Sequence, residues 1–406
     1  MAGNMSPDDQ LKLINNNLAE VLNPEIIEDV IRNQKRPLII YWGTATTGRP
    51  HAGYWVPMLK LAEFLKAGCK LKILLADVHA VLDNLKSSEE LVAYRAQYYR
   101  FVIRAMLSAI GVPLDQLEFH LGSDFQETKE YIRHQRRLST VCTLHDAKRA
   151  GAEVVKQVDN PLLSGLEYPV MQALDEEYLG VDAQFGGVDQ RKIFALAKDI
   201  LPRVGMKVRA HLMNSMVPGL QGGKMSASDP DSKIDILDDA TTVEKKLKKA
   251  YAAPKVVDGN GLLSFIEYVL LPASTIKGSE PSFTVSRERD QLEPLVYSDI
   301  KQLHKDYESD ILTPQLLKQS VTGALAALLA PIQEAFKANP EWQEIEKKAY
   351  PPPPPPEKKQ KKVKNKGTKH PGGAAAPSAA EKVEQAEGVD GPEEAAQAMD
   401  DLKVEK

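Results

Sequence analysis

The chain has 406 residues, of which 43% are hydrophobic and 27% are charged. These fractions are close to globular averages and exclude a wholly disordered, collagen-like or membrane-spanning chain. The length predicts about two to three domains. A formal net charge of −4 excludes a uniformly basic nucleic-acid binder, although basic segments can still bind nucleic acid locally.

Cysteines and the N-terminus give little sign of secretion. Cys69 and Cys142 are too few for a disulfide framework and lack the spacing of metal ligands. The first residues show no basic region followed by an apolar stretch, and no later run has the length of a membrane span. We therefore predict a cytoplasmic protein with no membrane partner and no protein-bound metal.

Apolar runs alternate with amphipathic segments between Pro37 and Leu237. PLIIYW predicts a strand, AGYWVPMLKLAEFLKAG a helix, KLKILLADVHAVL a strand and SSEELVAYRAQYYRFVIRAMLSAIG a helix. This order predicts an α/β fold, with a Rossmann-like parallel-sheet domain and N-terminal helices over residues 1–238. Ligands of such sheets bind where the strands end, which here means residues 41–48, 76–80 and 184–190.

Two further regions follow the predicted sheet. Residues 239–348 predict an α-helical domain, with a capping box from Thr241 to Glu244 and helices in GLLSFIEYVLL, PLVYSDIKQLHKDY and TPQLLKQSVTGALAALLAPIQEAF. Residues 349–406 predict a disordered tail, since six prolines, then seven lysines, then an acidic Ala/Gly-rich stretch cannot bury a core. The tail can be a solvated linker or a basic arm that contacts phosphates.

The first motif, GTATTGRP, lies between a predicted strand and a predicted helix. Arg49 and Pro50 stand where a phosphate-binding P-loop needs Lys and Ser or Thr. The G-x-G-x-x-G pattern is also missing, which argues against a dinucleotide-binding dehydrogenase. His51 and Gly53 follow at the helix start, where a histidine can donate to phosphate oxygens and a glycine lets a nucleotide approach the backbone. An ordinary capping histidine remains the alternative.

The second motif is GGKMSAS, which contains Lys224, Ser226 and Ser228. Flanking glycines and prolines predict a loop, and its ammonium and hydroxyl groups suit phosphate binding. A solvated turn has the same composition.

The third motif is a polar stripe in a predicted helix. Tyr168, Gln172 and Asp175 follow helical spacing and share one face, which is either the wall of a polar pocket or a solvated side. Glu176 and its neighbour Glu177 are predicted to face solvent, and the proline after Tyr168 is placed near the first turn.

The fourth motif, DAQFGGVDQR, predicts a strand, a Gly-Gly turn and a helix. The glycines permit close backbone approach, and Asp189 beside Gln190 can bind a ribose diol. Asp77 and His79 mark another strand end, where the alternative for the aspartate is to cap the next helix.

These motifs, in this order, resemble class I aminoacyl-tRNA synthetases, with HAGY standing for the HIGH signature and KMSAS for KMSKS. The chain is similar to the eukaryotic cytoplasmic tyrosyl type in three segments: YWGTATTGRPHAGY, QALDEEYL and DAQFGGVDQRKIF. The similarity extends more weakly to about Tyr350 and does not cover the tail. Tyr54 and Ala227 depart from the last His of HIGH and the second Lys of KMSKS.

The resemblance implies activation of L-tyrosine by ATP, with Mg²⁺ carried by ATP, and transfer of the tyrosyl group to tRNA(Tyr). It also implies a homodimer. The residues it implies for tyrosine are Tyr41, Tyr168, Gln172, Asp175 and Gln190, with Asp175 and Tyr41 on the phenol and the other three at the α-amino end. The residues it implies for ATP are Thr47, His51, Gly53, Asp189, Lys224, Ser226 and Ser228.

Contacts to tRNA and between subunits are less marked in the sequence. The helical domain is expected to bind the anticodon, and its first helix carries a basic stretch suited to a phosphate backbone or to a solvated face: Lys245, Lys246, Lys248 and Lys249. Segments 88–110 and 129–138 are the predicted dimer interface.

Two other functions are weighed against this interpretation. A tryptophanyl-tRNA synthetase has the same fold, but an indole pocket needs a stripe other than Tyr41 and Asp175. A non-catalytic RNA-binding relative is disfavoured because His51, Lys224 and Asp175 are all present.

Overall fold

The computed structural model describes residues 5–84, 88–154, 162–220, 233–276, 280–288 and 291–352. The elements up to residue 154 are α1 (Pro7–Asn15), β1 (Leu18–Leu22), α2 (Pro24–Glu28), β2 (Ile39–Thr44), α3 (Trp55–Lys66), β3 (Lys70–Leu75), α4 (Asp77–Asn84), α5 (Glu89–Ala109), β4 (Leu117–Leu121), α6 (Ser123–Gln126), α7 (Lys129–Ser139) and α8 (Leu144–Ala150). Those up to residue 220 are α9 (Leu163–Tyr178), β5 (Ala183–Gly187), α10 (Arg191–Arg203) and β6 (Ala210–Asn214).

The strands up to β6 form one sheet in the order β1-β6-β5-β2-β3-β4. All its pairings are parallel except that of β1 with β6 at the edge. Apolar runs such as Ile39–Trp42 suit strands that helices cover on both faces. The prediction of a parallel α/β fold is confirmed. From β2 the chain moves outward through β3 and β4 and then returns to β5 on the other side, so a ligand is expected between the ends of β2 and β5.

Helices dominate the C-terminal region. The elements are α11 (Ala240–Lys249), α12 (Gly261–Phe265), α13 (Leu271–Thr275), β7 (Phe283–Arg287), β8 (Leu292–Tyr297), α14 (Ile300–Glu308), α15 (Pro314–Lys337) and α16 (Pro340–Ala349). A π-helical turn, Ile266–Leu270, joins α12 to α13. The region packs back on the sheet domain, because Trp342 of α16 stacks on Phe101 of α5 with ring centroids 5.6 Å apart.

The hairpin of β7 and β8 corrects the expectation of helices alone. PLVY, expected to begin a helix, belongs to β8, and the helix begins later, at Ile300. Phe283 and Val285 of β7 are buried while Thr284 and Ser286 are exposed. This alternation is the pattern of a strand with one buried face.

Helix boundaries also differ from the prediction. The helix α11 is capped by Asp239, whose carboxylate accepts from the Thr242 N–H at 2.7 Å, two residues before the expected cap. In KLKILLADVHAVL the strand ends at Leu75 and a helix begins at Asp77. Pro169 lies inside α9 rather than in its first turn, because the helix starts at Leu163. Among the described residues, every helix is too short or too polar to span a bilayer.

Candidate active site

A cavity of about 370 Å³ opens at the carboxyl ends of β2 and β5, the position that the strand order indicates. Its wall includes eight of the predicted site residues: Tyr41, His51, Gly53, Tyr168, Gln172, Asp175, Asp189 and Gln190. The cavity thus joins the predicted stripe of α9 to the first and fourth motifs.

Asp175 is completely buried on this wall. Its Oδ1 accepts hydrogen bonds from Gln126 Nε2 and from Tyr131 OH, each at 2.8 Å. Its Oδ2 has no hydrogen-bond partner in the described protein. Burial raises the pKa of Asp175 to about 7, although both hydrogen bonds oppose this shift. A buried acceptor without a partner is costly, so this oxygen is available to a ligand donor.

Two tyrosines extend the wall around Asp175. Tyr41 is buried, and its hydroxyl donates to the Gln172 carbonyl at 3.3 Å. Burial, together with the charge of Asp175, raises the pKa of Tyr41 well above its usual value, so the phenol stays protonated. Tyr168 packs edge-on against His79, with ring centroids 4.5 Å apart.

The wall from β5 is shaped by its glycines. A Cβ on Gly186 would lie 2.9 Å from Gln190 Cγ, and one on Gly187 would lie 2.6 Å from Asp189 Oδ1. Glycine at both positions therefore lets Asp189 and Gln190 turn toward the cavity. Gln190 Oε1 accepts from Gln172 Nε2 at 3.1 Å, which links the turn to α9.

His51 lines the other part of the cavity. Its Nδ1 accepts from the Gly53 N–H at 3.2 Å, which leaves Nε2 to carry the ring proton. Burial, with a smaller effect from the charge of Lys233, lowers the pKa of His51 to about 4, so the ring is a neutral donor at pH 7. It also caps a short helical turn, which is the alternative that the sequence left open, while its role toward phosphate stays a prediction.

The remaining predicted residues have separate positions. Thr47 is not part of the cavity wall, where Thr44 and Ala45 of the same segment lie instead. Lys224, Ser226 and Ser228 lie outside the described residues.

The four lysines of α11 are not equivalent. Lys246 pairs with Asp238 at 2.6 Å and Lys248 pairs with Glu244 at 2.8 Å. Lys245 and Lys249 are exposed. The helix α11 therefore does not present a uniform basic face.

Several residues at the site were given little or no weight from sequence. His79 is buried in the wall, and its Nε2 lies 3.9 Å from Asp175 Oδ2. Burial lowers the pKa of His79 to about 4. Gln126 and Tyr131 carry no motif. Asp77, taken as a possible helix cap, instead accepts from the backbone N–H and the hydroxyl of Ser123.

Glu176 does not face solvent as expected. It is completely buried, and its Oε1 lies 2.7 Å from Nε2 of His211, which is also completely buried. The strand β6 covers this side of α9, which the helical pattern alone cannot reveal. Glu177 is half-buried and pairs with Arg209 at 2.6 Å.

Comparison with known proteins places this site in a family. The family described as class I tRNA synthetases (W and Y) matches residues 33–330. The chain is 52% identical to the cytoplasmic tyrosine–tRNA ligase of Saccharomyces cerevisiae over 388 residues, which is 95% of this chain and 98% of the yeast protein. It is also 52% identical to the cytoplasmic tyrosine–tRNA ligase of Danio rerio, over 86% of this chain but only 65% of that protein.

A solved structure agrees with these matches. Tyrosyl-tRNA synthetase of Archaeoglobus fulgidus, complexed with L-tyrosine, aligns with a TM-score of 0.74 and 33% identity, over 81% of this chain and 99% of that one. With its cavity at the switch point of the sheet and these similarities in sequence and structure, the chain belongs to the class I tRNA synthetases for tryptophan and tyrosine.

Proposed function

We propose that this chain is a cytoplasmic tyrosine–tRNA ligase that activates L-tyrosine with ATP and transfers the tyrosyl group to tRNA(Tyr). The observation that carries the choice of amino acid is Asp175, which lines the same cavity as Tyr41 and has an Oδ2 without a hydrogen-bond partner in the described protein. A phenolic hydroxyl is a donor that fits this acceptor.

The amino-acid site is assigned to the wall formed by α9 and the adjoining strands. The phenol of the substrate donates to Asp175 and contacts Tyr41, while Tyr168, Gln172 and Gln190 hold its α-amino end. A site that hydrogen-bonds a substrate hydroxyl rejects the analogue lacking it by about 10⁴ to 10⁵, an effect for which phenylalanine and this enzyme family are the standard example. An editing site for phenylalanine is then unnecessary.

The ATP site is assigned to the segment that contains His51. The neutral His51 donates from Nε2 to phosphate oxygens, and Gly53 gives the nucleotide access to the backbone. Asp189 holds the ribose. The resemblance also assigns Thr47 to ATP, and Lys224, Ser226 and Ser228 to the pyrophosphate, and these roles stay predictions.

The reaction joins the two sites. A carboxylate oxygen of tyrosine forms a bond to the α-phosphorus of ATP, the bond from that phosphorus to the bridging oxygen breaks, and pyrophosphate leaves. A hydroxyl of the terminal adenosine of tRNA then attacks the tyrosyl carbonyl and releases AMP. Such chemistry depends on positioning and charge neutralisation rather than on a nucleophilic side chain. Mg²⁺ bound to ATP neutralises part of the phosphate charge.

The helical region is assigned to tRNA. Residues 239–348 bind the anticodon, and the exposed Lys245 of α11 contacts the phosphate backbone more than Lys246 and Lys248, which are in ion pairs. The predicted tail begins at residue 349, but Ala349 is the buried last residue of α16 and Tyr350 OH donates to the Gly48 carbonyl at 2.8 Å. The rest of the tail is either a solvated linker or an additional basic arm. The salt dependence of tRNA binding with and without the tail distinguishes these roles, because lost phosphate contacts flatten the slope.

The protein is proposed to be a homodimer. Leu144 of α8 is 68% exposed, and Leu162 and Leu163 at the start of α9 are 58% and 76% exposed. Large apolar side chains grouped on a surface indicate a protein interface. Two segments were predicted for the dimer interface. Segment 129–138 lies near this surface, whereas segment 88–110, which contains α5, is covered by α16. Sedimentation equilibrium of the wild type and of Leu163→Glu tests the interface: the wild type should be dimeric and the variant should dissociate.

Amino-acid-dependent exchange of pyrophosphate into ATP tests the function as a whole. Tyrosine, tryptophan and phenylalanine are offered separately to the wild type and to Asp175→Ala. Exchange with tyrosine alone, lost in the variant, is the expected result. Exchange with tryptophan would contradict the pocket, and a folded protein that binds tRNA but exchanges with none of the three would contradict the catalytic function.

A further inference from the structure

Two buried residues that are not part of the cavity wall hold Asp175. Gln126 and Tyr131 both donate to Oδ1 at 2.8 Å, and both are buried. Neither belongs to the cavity wall. A ligand in the cavity therefore meets Asp175 but neither of its two donors.

The two donors come from separate elements that are themselves fixed. Tyr131 of α7 packs against both Phe125 and Tyr178, with ring centroids 5.7 and 4.8 Å from its own. Gln126 ends α6, and its Oε1 lies only 2.6 Å from where a Cβ on residue 122, a glycine, would be. The start of α6 is held by Asp77, which accepts two hydrogen bonds from Ser123, the first residue of this helix. Little freedom remains for either donor.

We propose that Gln126 and Tyr131 are positioning residues that saturate Oδ1 of Asp175 and thereby present Oδ2 alone to the substrate phenol. The proposal rests on the proposed function, in which Asp175 binds that phenol. With two charge-assisted hydrogen bonds on one oxygen, the carboxylate plane is fixed and its ionised form is favoured. An ionised acceptor in one orientation selects a substrate that carries a hydroxyl over one that does not.

Removing one donor at a time tests the proposal. In Tyr131→Phe and in Gln126→Met, kcat/KM for tyrosine in pyrophosphate exchange should fall roughly tenfold to a hundredfold, the usual effect of a hydrogen bond to a charged group. The loss should appear in KM for tyrosine, whereas KM for ATP and the rate with phenylalanine stay unchanged. The preference for tyrosine over phenylalanine then falls by the same factor.

The pH profile gives a second readout. Both hydrogen bonds lower the pKa of Asp175, so losing one should move the acid limb of kcat/KM for tyrosine to higher pH. The Tyr131→Phe variant removes only a hydroxyl and tests the proposal even if Gln126→Met fails to fold.

Tyr178→Phe is the matched control. Its ring packs against Tyr131, but its hydroxyl bonds to His134 Nδ1 at 2.9 Å and not to Asp175. This variant should keep the kinetics and pH profile of the wild type. If Tyr131→Phe behaves in the same way, or if its rates with tyrosine and phenylalanine fall equally, the positioning role is wrong. A failure of the proposed function would appear in the wild type, as an absence of tyrosine-dependent exchange, and would overturn both.

Discussion

Asp175 and Glu176 are adjacent on α9 and both are completely buried, yet they face different surroundings. Glu176 bonds to His211 of β6, whose ring stacks on Phe194 with centroids 4.6 Å apart. Each carboxylate leaves one oxygen without a partner in the described protein, but of the two residues only Asp175 lines the cavity between β2 and β5. Burial and an unpartnered oxygen therefore do not by themselves mark a functional carboxylate, whereas access to a cavity does.

The largest effect is expected from Asp175→Ala. Because the substrate phenol loses its acceptor in a buried site, kcat/KM for tyrosine should fall by about 10⁴. Pyrophosphate exchange measures the loss, and circular dichroism shows that the variant is folded. Glu176→Gln is the control, since it leaves the cavity wall intact, and an equal loss there would remove the distinction between the two carboxylates.

Replacement of His211, the partner of Glu176, should lower the stability of the protein rather than its activity. His211→Ala leaves a buried carboxylate without its partner, which should lower the free energy of unfolding by about 3 to 5 kcal/mol. Urea unfolding measures this change, and KM for tyrosine should stay within about threefold of the wild type. A stable variant with a strongly raised KM would place His211 in the substrate site.

The two carboxylates also lead to a pH test. The pKa of Asp175 is raised from 3.8 to about 7 by burial, so the folded state binds more protons than the unfolded state between these values. The contribution of Asp175 to the stability of the folded state is therefore most favourable at low pH and is lost as the pH rises toward 7. Between pH 5 and pH 8, the ionisation of Asp175 should lower the free energy of unfolding by about 2 to 3 kcal/mol. The Asp175→Asn variant should not show this decrease. Equal pH dependence in both proteins would contradict the raised pKa.

The smallest effect is expected from the lysines of α11, which differ in whether they form an ion pair. Lys246 pairs with Asp238, whereas Lys245 is exposed and is in no ion pair found among the described residues. Lys245→Ala should weaken tRNA binding modestly and reduce the salt slope by about 1, the effect of one lost phosphate contact. Lys246→Ala should change the slope less. A larger change in the slope for Lys246→Ala would show that its ion pair opens on binding.

Much of the fold follows from sequence periodicity. Long amphipathic helices and short apolar runs predict the parallel sheet because both faces of its central strands are covered. The hairpin of β7 and β8 is missed because FTVSR and LEPLVY are short and lie between helical segments. Helix starts are displaced where a local competitor such as Asp239 caps the helix instead.

The candidate site is predictable only where one element carries it. Helical spacing places Tyr168, Gln172 and Asp175 on one face without knowledge of the fold, but only the structure shows that this face is a cavity wall. Gln126 and Tyr131 reach Asp175 from two other helices and have no motif, so only the tertiary structure brings them together.

The structure of a complex with L-tyrosine would show directly which group of the substrate Asp175 binds. We expect the phenolic oxygen to lie about 2.5 to 2.7 Å from Oδ2 of Asp175, the distance of a hydroxyl donating to a carboxylate. Gln126 and Tyr131 should keep their hydrogen bonds to Oδ1. A complex in which the α-amino group contacts Asp175, or in which the phenol lies away from it, would contradict the assignment of Asp175 to the substrate phenol.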